Sequence, residues 1–348
     1  MDRPRLLLIA NPAARRVRNN QHLGIARILS QRYSVEPVCS TSAEHVREAA
    51  GRAAAEGFSV VAAMGGDGLI SNAVSGLAGS GALLAIIPAG TANASARSLG
   101  IAAGARAAAR ELAAAPTRRP LPVARLTLHS GGVTSTRYAL SQVGLGLDAE
   151  VVRRVEACGQ HKRRFGELYF AFITISVLTG WARRRKASMH VHSGERRAQA
   201  VSLLIQVRWP YTYLGPVTLA LTPESTPGMD ALVVRRFSGR AMISAVTRAL
   251  TVHTFHRCPG VELWPGCTDV HIEADPGMVA QADGEPLGFV ESMDVTWSTE
   301  SLLLANPVAS VTPRRGAAEA TSPHPNAIAP GDAVSRTTRP GDDDLQQD

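Results

Sequence analysis

The chain has 348 residues, 45% of them hydrophobic and 19% charged, a composition typical of globular proteins rather than of disordered or fibrous ones. Lys and Arg (37) outnumber Asp and Glu (29), but aromatic residues are only 5% and no basic stripe is interleaved with aromatics, so we expect no nucleic-acid partner. The four cysteines include no CxxC pair, which argues against a disulfide-stapled domain and a four-cysteine zinc site. No signal-peptide pattern and no apolar stretch of about 20 residues occurs, so we expect a cytoplasmic protein.

Short apolar runs alternate with helical patterns over the first 115 residues. One helical pattern covers Ala43–Glu56, with Thr41 or Ser42 as its cap. Alternating strands and helices predict a doubly wound α/β domain with its ligand at the carboxyl ends of the strands. The predicted buried strands are Leu6–Ala10, Ser34–Val38, Ser59–Ala63 and Leu83–Ile87.

The pattern changes after three prolines at positions 116, 120 and 122, which mark a linker. Strands rich in β-branched residues then predominate, interrupted by helical patterns at Ala149–Glu156 and Gly166–Trp181, and they predict an antiparallel sandwich or open barrel. We therefore predict an α/β domain at 1–120, a β-rich domain at 121–305 and a disordered, proline-rich tail at 306–348. The predicted strands are Leu121–His129, Thr136–Val143, Met189–His192, Ala200–Val207, Ala231–Arg236 and Val270–Glu273.

The strongest local signal is a strand that runs into Gly65, Gly66, Asp67 and Gly68 and then into a helix. Glycines let backbone N–H groups approach a phosphate, and the start of the following helix favours negative charge. The carboxylate of Asp67 can hold Mg²⁺ or accept a proton. The alternative is a tight turn whose aspartate caps the helix.

A second loop, with Gly90, Thr91 and Asn93, follows the next predicted strand. Alone it is more often a plain helix cap than a ligand site. Two such loops on consecutive strand ends converge on one crevice, and Asn11 and Thr41 border the same edge.

Two carboxylates lie close together far downstream, at Asp283 and Glu285. On an extended strand they would point the same way, whereas Asp283-Gly284 in a turn is a hairpin signal.

Together these residues resemble the diacylglycerol kinase-like lipid kinases, a family that includes sphingoid-base and ceramide kinases. The resemblance spans about Leu6 to Leu304, and the GGDG turn is shared more distantly with NAD kinases. The resemblance to the lipid kinases rests on NPAA at 11–14, GGDGLISNAVSGL at 65–77, IPAGTANASARSLGI at 87–101, VGLGLDAEVV at 143–152, KRRFGELYF at 162–170 and QADGE at 281–285.

The resemblance implies an N-terminal nucleotide-binding domain and a C-terminal β-rich sandwich, with ATP and Mg²⁺ between them and a lipid hydroxyl as acceptor. It implies that Glu285 accepts the hydroxyl proton and that Asp67 and Asp283 arrange metal and phosphates. A structural Mg²⁺ would lie at Asp230, with backbone carbonyls near Pro227 and Leu232. The residues that would surround the nucleotide are Asn11, Thr41, Gly65, Gly66, Asp67, Gly68, Leu69, Asn72, Gly90, Thr91 and Asn93.

The chain departs from the family pattern at three positions. Leu69 stands where threonine is usual, Asn72 replaces a glutamate and Ala94 replaces a frequent aspartate. Two acidic groups are thereby lost, which leaves two alternatives open: a catalytically weakened nucleotide- or lipid-binding member, and an NAD kinase-like phosphotransferase. Leu69 also hints at a sphingoid-type acceptor.

Weaker signals concern partners. Basic clusters at 162–164 and 183–186 bracket the apolar helix at 166–182, which favours peripheral contact with a membrane surface over a plain core helix. Residues 144–149 fit a loose dinucleotide fingerprint, but a turn that shapes the lipid cleft is favoured. A zinc site at 253–258 is disfavoured. The oligomeric state is left open, with a homodimer as one alternative.

Overall fold

Two β-sheets organise the chain in this computed structural model, which describes residues 3–11, 20–157, 189–214, 217–236, 258–299 and 301–307. The first sheet has six strands and the second has ten. The predicted helix at 166–182 with its basic ends, the histidines at 253 and 256, and residues 308–348 of the tail predicted at 306–348 lie outside the described residues.

Four of the predicted strands form the parallel part of the first sheet. They are β1 (Arg5–Ala10), β2 (Ser34–Cys39), β3 (Val60–Gly65) and β4 (Leu83–Pro88). The strand order is β2-β1-β3-β4, and every position of β3 is buried, as expected of a parallel strand covered on both faces. β2 lies at the edge of the sheet, and its residues are exposed or only partly buried, so the predicted burial of Ser34–Val38 is wrong.

Helices connect these strands. The side chain of Ser42, rather than that of Thr41, caps α2 by accepting the backbone N–H of His45 at 3.1 Å. The helices are α1 (Gln21–Leu29), α2 (Ala43–Ala53), α3 (Asp67–Leu77), α4 (Ala94–Ser98) and α5 (Ala105–Ala114).

The first sheet is completed by two short strands that are distant in sequence, β5 (Arg119–Pro120) and β18 (Leu303–Leu304). β18 pairs in parallel with β4, and its other edge pairs with β5. The end of the described chain therefore returns to the first sheet. The domain boundaries at residues 120 and 305 stay a prediction.

All described pairings within the second sheet are antiparallel. One face carries a hydrophobic core to which all ten strands contribute buried residues. A helix, α6 (Leu147–Ala157), packs against it, and a separate hairpin is formed by β12 (Thr212–Leu214) and β13 (Val217–Leu219). The sheet strands are β6 (Val123–Ser130), β7 (Val133–Ala139), β8 (Gln142–Leu145), β9 (Met189–Ser193), β10 (Arg196–Ala200), β11 (Ser202–Gln206), β14 (Met229–Val234), β15 (Val261–Cys267), β16 (Asp269–Ala282) and β17 (Glu285–Ser298).

The prediction of one continuous strand over Thr136–Val143 is wrong, because the chain turns after Ala139 and this segment belongs to two strands, β7 and β8. The carboxylate of Asp283 accepts the backbone N–H groups of Leu140, Ser141 and Gln142, at 2.8, 2.7 and 3.0 Å. A residue 141 to 143 positions away therefore stabilises the turn, and the local sequence carries no signal for it.

The fold class is confirmed: a parallel α/β region at the N-terminus is followed by a β-rich region. Over the residues that the structure describes, no helix combines the length and the hydropathy needed to cross a bilayer.

Candidate functional site

Asp67 joins the two glycine-rich loops. Gly66 precedes the first residue of α3, and the Asp67 carboxylate accepts the backbone N–H groups of Ala94 at 3.1 Å and Ser95 at 2.8 Å. Asp67 thus binds the start of α4, in the loop that follows β4. The structure brings the two predicted loops together at the carboxyl edge of the first sheet.

The two loops touch through glycine backbones. A Cβ atom placed on Gly90 would lie 2.5 Å from the Cα atom of Gly66, so only glycine fits there. Asn93 has a φ of 47°, and its side chain closes its own loop by accepting the N–H of Gly90 at 2.8 Å and donating to the Gly90 carbonyl at 3.0 Å. Asn93 therefore shapes the loop, and exposed Thr91 lies nearer to its tip.

Asn11 and Thr41 follow β1 and β2, so they lie along the same edge as the GGDG turn. The Oγ1 of Thr41 lies 3.2 Å from the Nδ1 of His45, within the first turn of α2. The sheet order β2-β1-β3-β4 lines up these residues and both glycine loops along one edge.

Glu285 lies against the GGDG turn. Asp283 and Gly284 form a two-residue hairpin turn, both with positive φ, so the hairpin alternative is correct for this segment. The first residue after the turn is Glu285, and a Cβ atom on Gly68 would lie only 2.2 Å from its Oε1. The structure thus brings a carboxylate from β17 onto the first turn of α3.

Asp283, the other predicted carboxylate, has a different environment. Burial raises the pKa of its carboxyl, while the three backbone N–H groups of the β7–β8 turn and Ser71 offset part of that rise. Its hydrogen bonds stabilise the turn that holds the hairpin in place. Its predicted role toward metal and phosphates stays a prediction.

Leu69 and Asn72, two of the positions that depart from the family pattern, have local partners. Leu69 is buried, and its side chain fills the space beside the Cα atom of Gly65. Asn72 donates to the carbonyl of Gly68 at 2.7 Å and accepts a hydrogen bond from Arg47, which also pairs with Glu44. These contacts fix the first turn of α3.

A cavity of about 380 Å³ opens beside Glu285. It lies between the α2–α3 side of the first sheet and the β6, β7 and β17 strands of the second. Two apolar side chains that line it are unusually exposed, Val133 at 67% and Phe289 at 64%. The polar lining includes Glu285, Arg47, Ser71 and Asn72, and the apolar lining includes Leu128, Val133, Leu287, Phe289 and Val290.

Sequence reasoning missed this cavity, including Arg47 and the apolar lining residues. Val133 and Phe289 lie on β7 and β17, which are about 150 residues apart in the chain and joined only through β6. Only the strand pairing reveals that they line the same cavity.

The residues around Asp230 do not fit a cation in this structure. Both oxygens of its buried carboxylate already accept hydrogen bonds from protein donors. An ionised carboxylate has about four acceptor positions, and three protein donors occupy three of them. The Thr222 hydroxyl lies at the fourth, although its one proton can instead go to the Glu224 carbonyl at 2.9 Å. The donors are Gln206 Nε2 at 3.0 Å, Thr222 Oγ1 at 2.9 Å, Thr226 Oγ1 at 2.6 Å and the Gly266 backbone N–H at 3.2 Å.

Removal of divalent cations by EDTA is therefore expected to leave the Tm of the protein unchanged. Replacing Asp230 with Ala is expected to lower the free energy of unfolding by about 3 kcal/mol, because it leaves buried donors without an acceptor. Thermal and urea unfolding measure both effects. A fall in Tm that EDTA causes, that Mg²⁺ reverses and that Asp230→Ala abolishes would show that a cation binds there.

Comparison with known proteins agrees with this geometry. Residues 5–126 match the family model of the diacylglycerol kinase catalytic domain. A curated diacylglycerol kinase from Mycobacterium tuberculosis is 40% identical over 80 residues, which is 23% of this chain. The match spans about a quarter, 26%, of that relative's length.

Solved structures resemble the chain over most of its length. A crystal structure from Bacillus anthracis, provisionally named a diacylglycerol kinase, covers 87% of this chain and 97% of its own, with a TM-score of 0.67 and 18% identity. Another diacylglycerol kinase structure from that organism has a TM-score of 0.61 at 17% identity, with the same coverage of both chains. At these identities the likeness concerns the fold. Residues 5–126, which include the GGDG turn and the loop that faces it, are therefore similar to the diacylglycerol kinase catalytic domain, and over the rest of the chain the likeness is one of fold.

Proposed function

We propose that the protein is an ATP-dependent lipid kinase that transfers the γ-phosphate of MgATP to a lipid hydroxyl. The observation that carries this proposal is the position of Glu285. Its carboxylate lies against Gly68 in the phosphate-binding type of turn and also lines the 380 Å³ cavity. The Glu285 carboxylate thus lies between the proposed nucleotide site and the proposed acceptor site.

The start of α3 supports a phosphate site. The first N–H groups of a helix have no partner within the helix, and they attract anions. Gly65, Gly66 and Gly68 carry no side chains that would keep a phosphate away from this backbone. Neither lysine of the chain lies in a GxxxxGK[ST] motif, so the backbone would have to bind the phosphates.

The cavity supports an amphipathic acceptor. Its polar lining, with Glu285, Ser71 and Asn72, suits a hydroxyl headgroup, and its apolar lining, with Leu287 and Phe289, suits a hydrocarbon chain. A small hydrophilic acceptor such as a ribose would gain nothing from these apolar walls, which favours a lipid over NAD.

The proposed reaction needs positioning and one proton acceptor. The acceptor hydroxyl oxygen attacks the γ-phosphorus, the bond to the β-phosphate oxygen breaks and ADP leaves. The hydroxyl proton passes to the carboxylate of Glu285. Mg²⁺ arrives with the nucleotide as part of the substrate and neutralises phosphate charge.

Contact with a membrane surface belongs to the same proposal. Phe289 and Val133 expose apolar side chains to solvent where they line the cavity. A lipid that stays in its bilayer would reach the cavity if these side chains entered the interface. We infer that the protein binds the membrane peripherally.

The test is transfer of labelled phosphate from ATP, with Mg²⁺, to micellar diacylglycerol, monoacylglycerol, sphingosine, ceramide and undecaprenol, with NAD as the non-lipid acceptor. We expect one lipid to be phosphorylated, and we expect Asp67→Ala to lose this activity because the two loops are no longer joined. Transfer to NAD alone would replace the proposal with an NAD kinase. Nucleotide binding without any transfer would make the chain a binding protein that retains the fold.

A further inference from the structure

A second set of hydrogen bonds holds the hairpin that carries Glu285. Gln281 is fully buried, and its Oε1 accepts the backbone N–H of Gly284, the residue before Glu285, at 2.9 Å. The Nε2 of Gln281 donates to the Oδ2 of Asp148 at 2.6 Å. Tyr211 donates to the same oxygen at 2.9 Å. The turn is thereby linked to the start of α6.

The side chains of Gln281 and Asp148 are closely packed and have little room to move. A Cβ atom on Gly144 would lie 2.0 Å from the Oδ2 of Asp148 and 2.8 Å from the Nε2 of Gln281, so the neighbouring strand touches both groups. Burial raises the pKa of the Asp148 carboxyl, which the hydrogen bonds from Tyr211 and Gln281 partly oppose. Burial and the charge of Asp148 hold the pKa of Tyr211 well above its ordinary value, so the hydroxyl stays a donor at neutral pH.

Asp283 and Gln281 hold the turn from two directions. The Asp283 carboxylate binds the β7–β8 backbone, and the Gln281 amide binds Asp148 of α6. Glu285 itself approaches Gly68 so closely that a single added carbon would displace it. A small rotation of the turn would therefore change the distance between the carboxylate and the GGDG turn.

We propose that Gln281 is a positioning residue for Glu285: it fixes the backbone of Gly284 and is itself held by Asp148 and Tyr211. Gln281 touches neither reacting group, and it acts through the backbone on which the carboxylate is carried. This inference rests on the proposed lipid kinase activity for its catalytic consequence, but its structural part does not depend on that activity.

The chain offers a closely matched control. Gln206 is also buried, its Nε2 donates to the carboxylate of Asp230 at 3.0 Å, and its Oε1 accepts the backbone N–H of Leu221 at 3.0 Å. Gln281→Met and Gln206→Met therefore both remove a bond to a backbone N–H and a bond to a buried carboxylate, and Gln206→Met also removes a bond from Nε2 to the Oγ1 of Thr222 at 3.1 Å. Only Gln281 is bonded to the turn next to Glu285.

Three measurements on the full chain test the proposal: Tm, steady-state kinetics with the lipid that the acceptor panel identifies, and hydrogen exchange of a peptide spanning 282–286. We expect Gln281→Met to lower kcat by about 10- to 100-fold, as a displacement of about 1 Å does, while the KM for MgATP changes by less than about 2-fold. Exchange in the peptide should accelerate. Gln206→Met should lose comparable Tm and leave kcat and the exchange of this peptide unchanged.

Gln281→Glu provides the conservative variant and serves also if Gln281→Met fails to fold. Its carboxyl still accepts from Gly284, and when protonated it can donate to Asp148 as the amide does. The ratio of its kcat to that of the wild type should therefore rise as the pH falls.

Either of two results would overturn the proposal: unchanged exchange and kcat in Gln281→Met, or equal losses of kcat in the two Met variants. A ratio for Gln281→Glu that does not change with pH would equally contradict it. If the wild type phosphorylates no acceptor, the proposed function fails, and the exchange comparison alone still decides whether Gln281 holds the turn.

Discussion

Replacing Glu285 with Gln is expected to lower kcat for lipid phosphorylation by about 10²- to 10⁴-fold, the usual contribution of a general base. The amide has nearly the same shape as the carboxylate but cannot accept the hydroxyl proton. The substitution leaves the proposed phosphate site at the start of α3 unchanged, so the Kd for MgATP should stay within about 2-fold of the wild type. Initial rates and calorimetric titration with MgATP measure the two quantities.

Glu291 provides the control for this substitution, because it lies on the same strand, β17. Its Oε1 accepts the backbone N–H of Gly131 at 3.1 Å, and an amide oxygen can still do so. Glu291→Gln should therefore keep kcat. Normal turnover in Glu285→Gln would mean that another group takes the proton.

The first sheet could be predicted from the sequence because its signals are local. Three of its parallel strands, β1, β3 and β4, are nearly continuous apolar runs, and glycines flank β3 and β4. The convergence of the two glycine loops also follows from local signals, because neighbouring parallel strands end at one edge. The joining contact, Asp67 to the start of α4, was not predicted in that form.

The second sheet and the cavity could not be predicted to the same depth, because they depend on long-range pairing. The break after Ala139 is fixed by Asp283, and the position of Glu285 follows from the register of β16 with β17. The sequence marks Asp283-Gly284 as a hairpin signal, but it does not indicate that Glu285 would meet Gly68. At Asp230 the resemblance implies a cation, whereas the structure places protein hydrogen-bond donors around the carboxylate. These donors are spread from Gln206 to Gly266, so the sequence near Asp230 does not indicate them.

Gly68→Ala is expected to lower kcat by about 100-fold without destabilising the protein. The added methyl would lie 2.2 Å from the Oε1 of Glu285, and the carboxylate is the flexible end of a side chain, so it is the part that moves. A carboxylate displaced by about 1 Å costs roughly this factor in rate. Gly68 is the second residue of α3, where the preference of a helix for alanine over glycine, up to about 1 kcal/mol in an interior, applies only in part, so the Tm should stay the same or rise slightly. Turnover and thermal unfolding measured on the same preparation check both expectations.

Gly24 is the matched control, because it too lies inside a helix, α1, and a Cβ atom there would meet nothing within 4 Å. Gly24→Ala should raise the Tm slightly and leave kcat unchanged. A sharper check combines Gly68→Ala with Glu285→Gln. If the methyl acts by displacing the carboxylate, the double variant should be no slower than Glu285→Gln alone, since the two changes affect the same step. Losses that multiply in the double variant would mean that Gly68 acts independently of Glu285, through the backbone that would face the nucleotide phosphates.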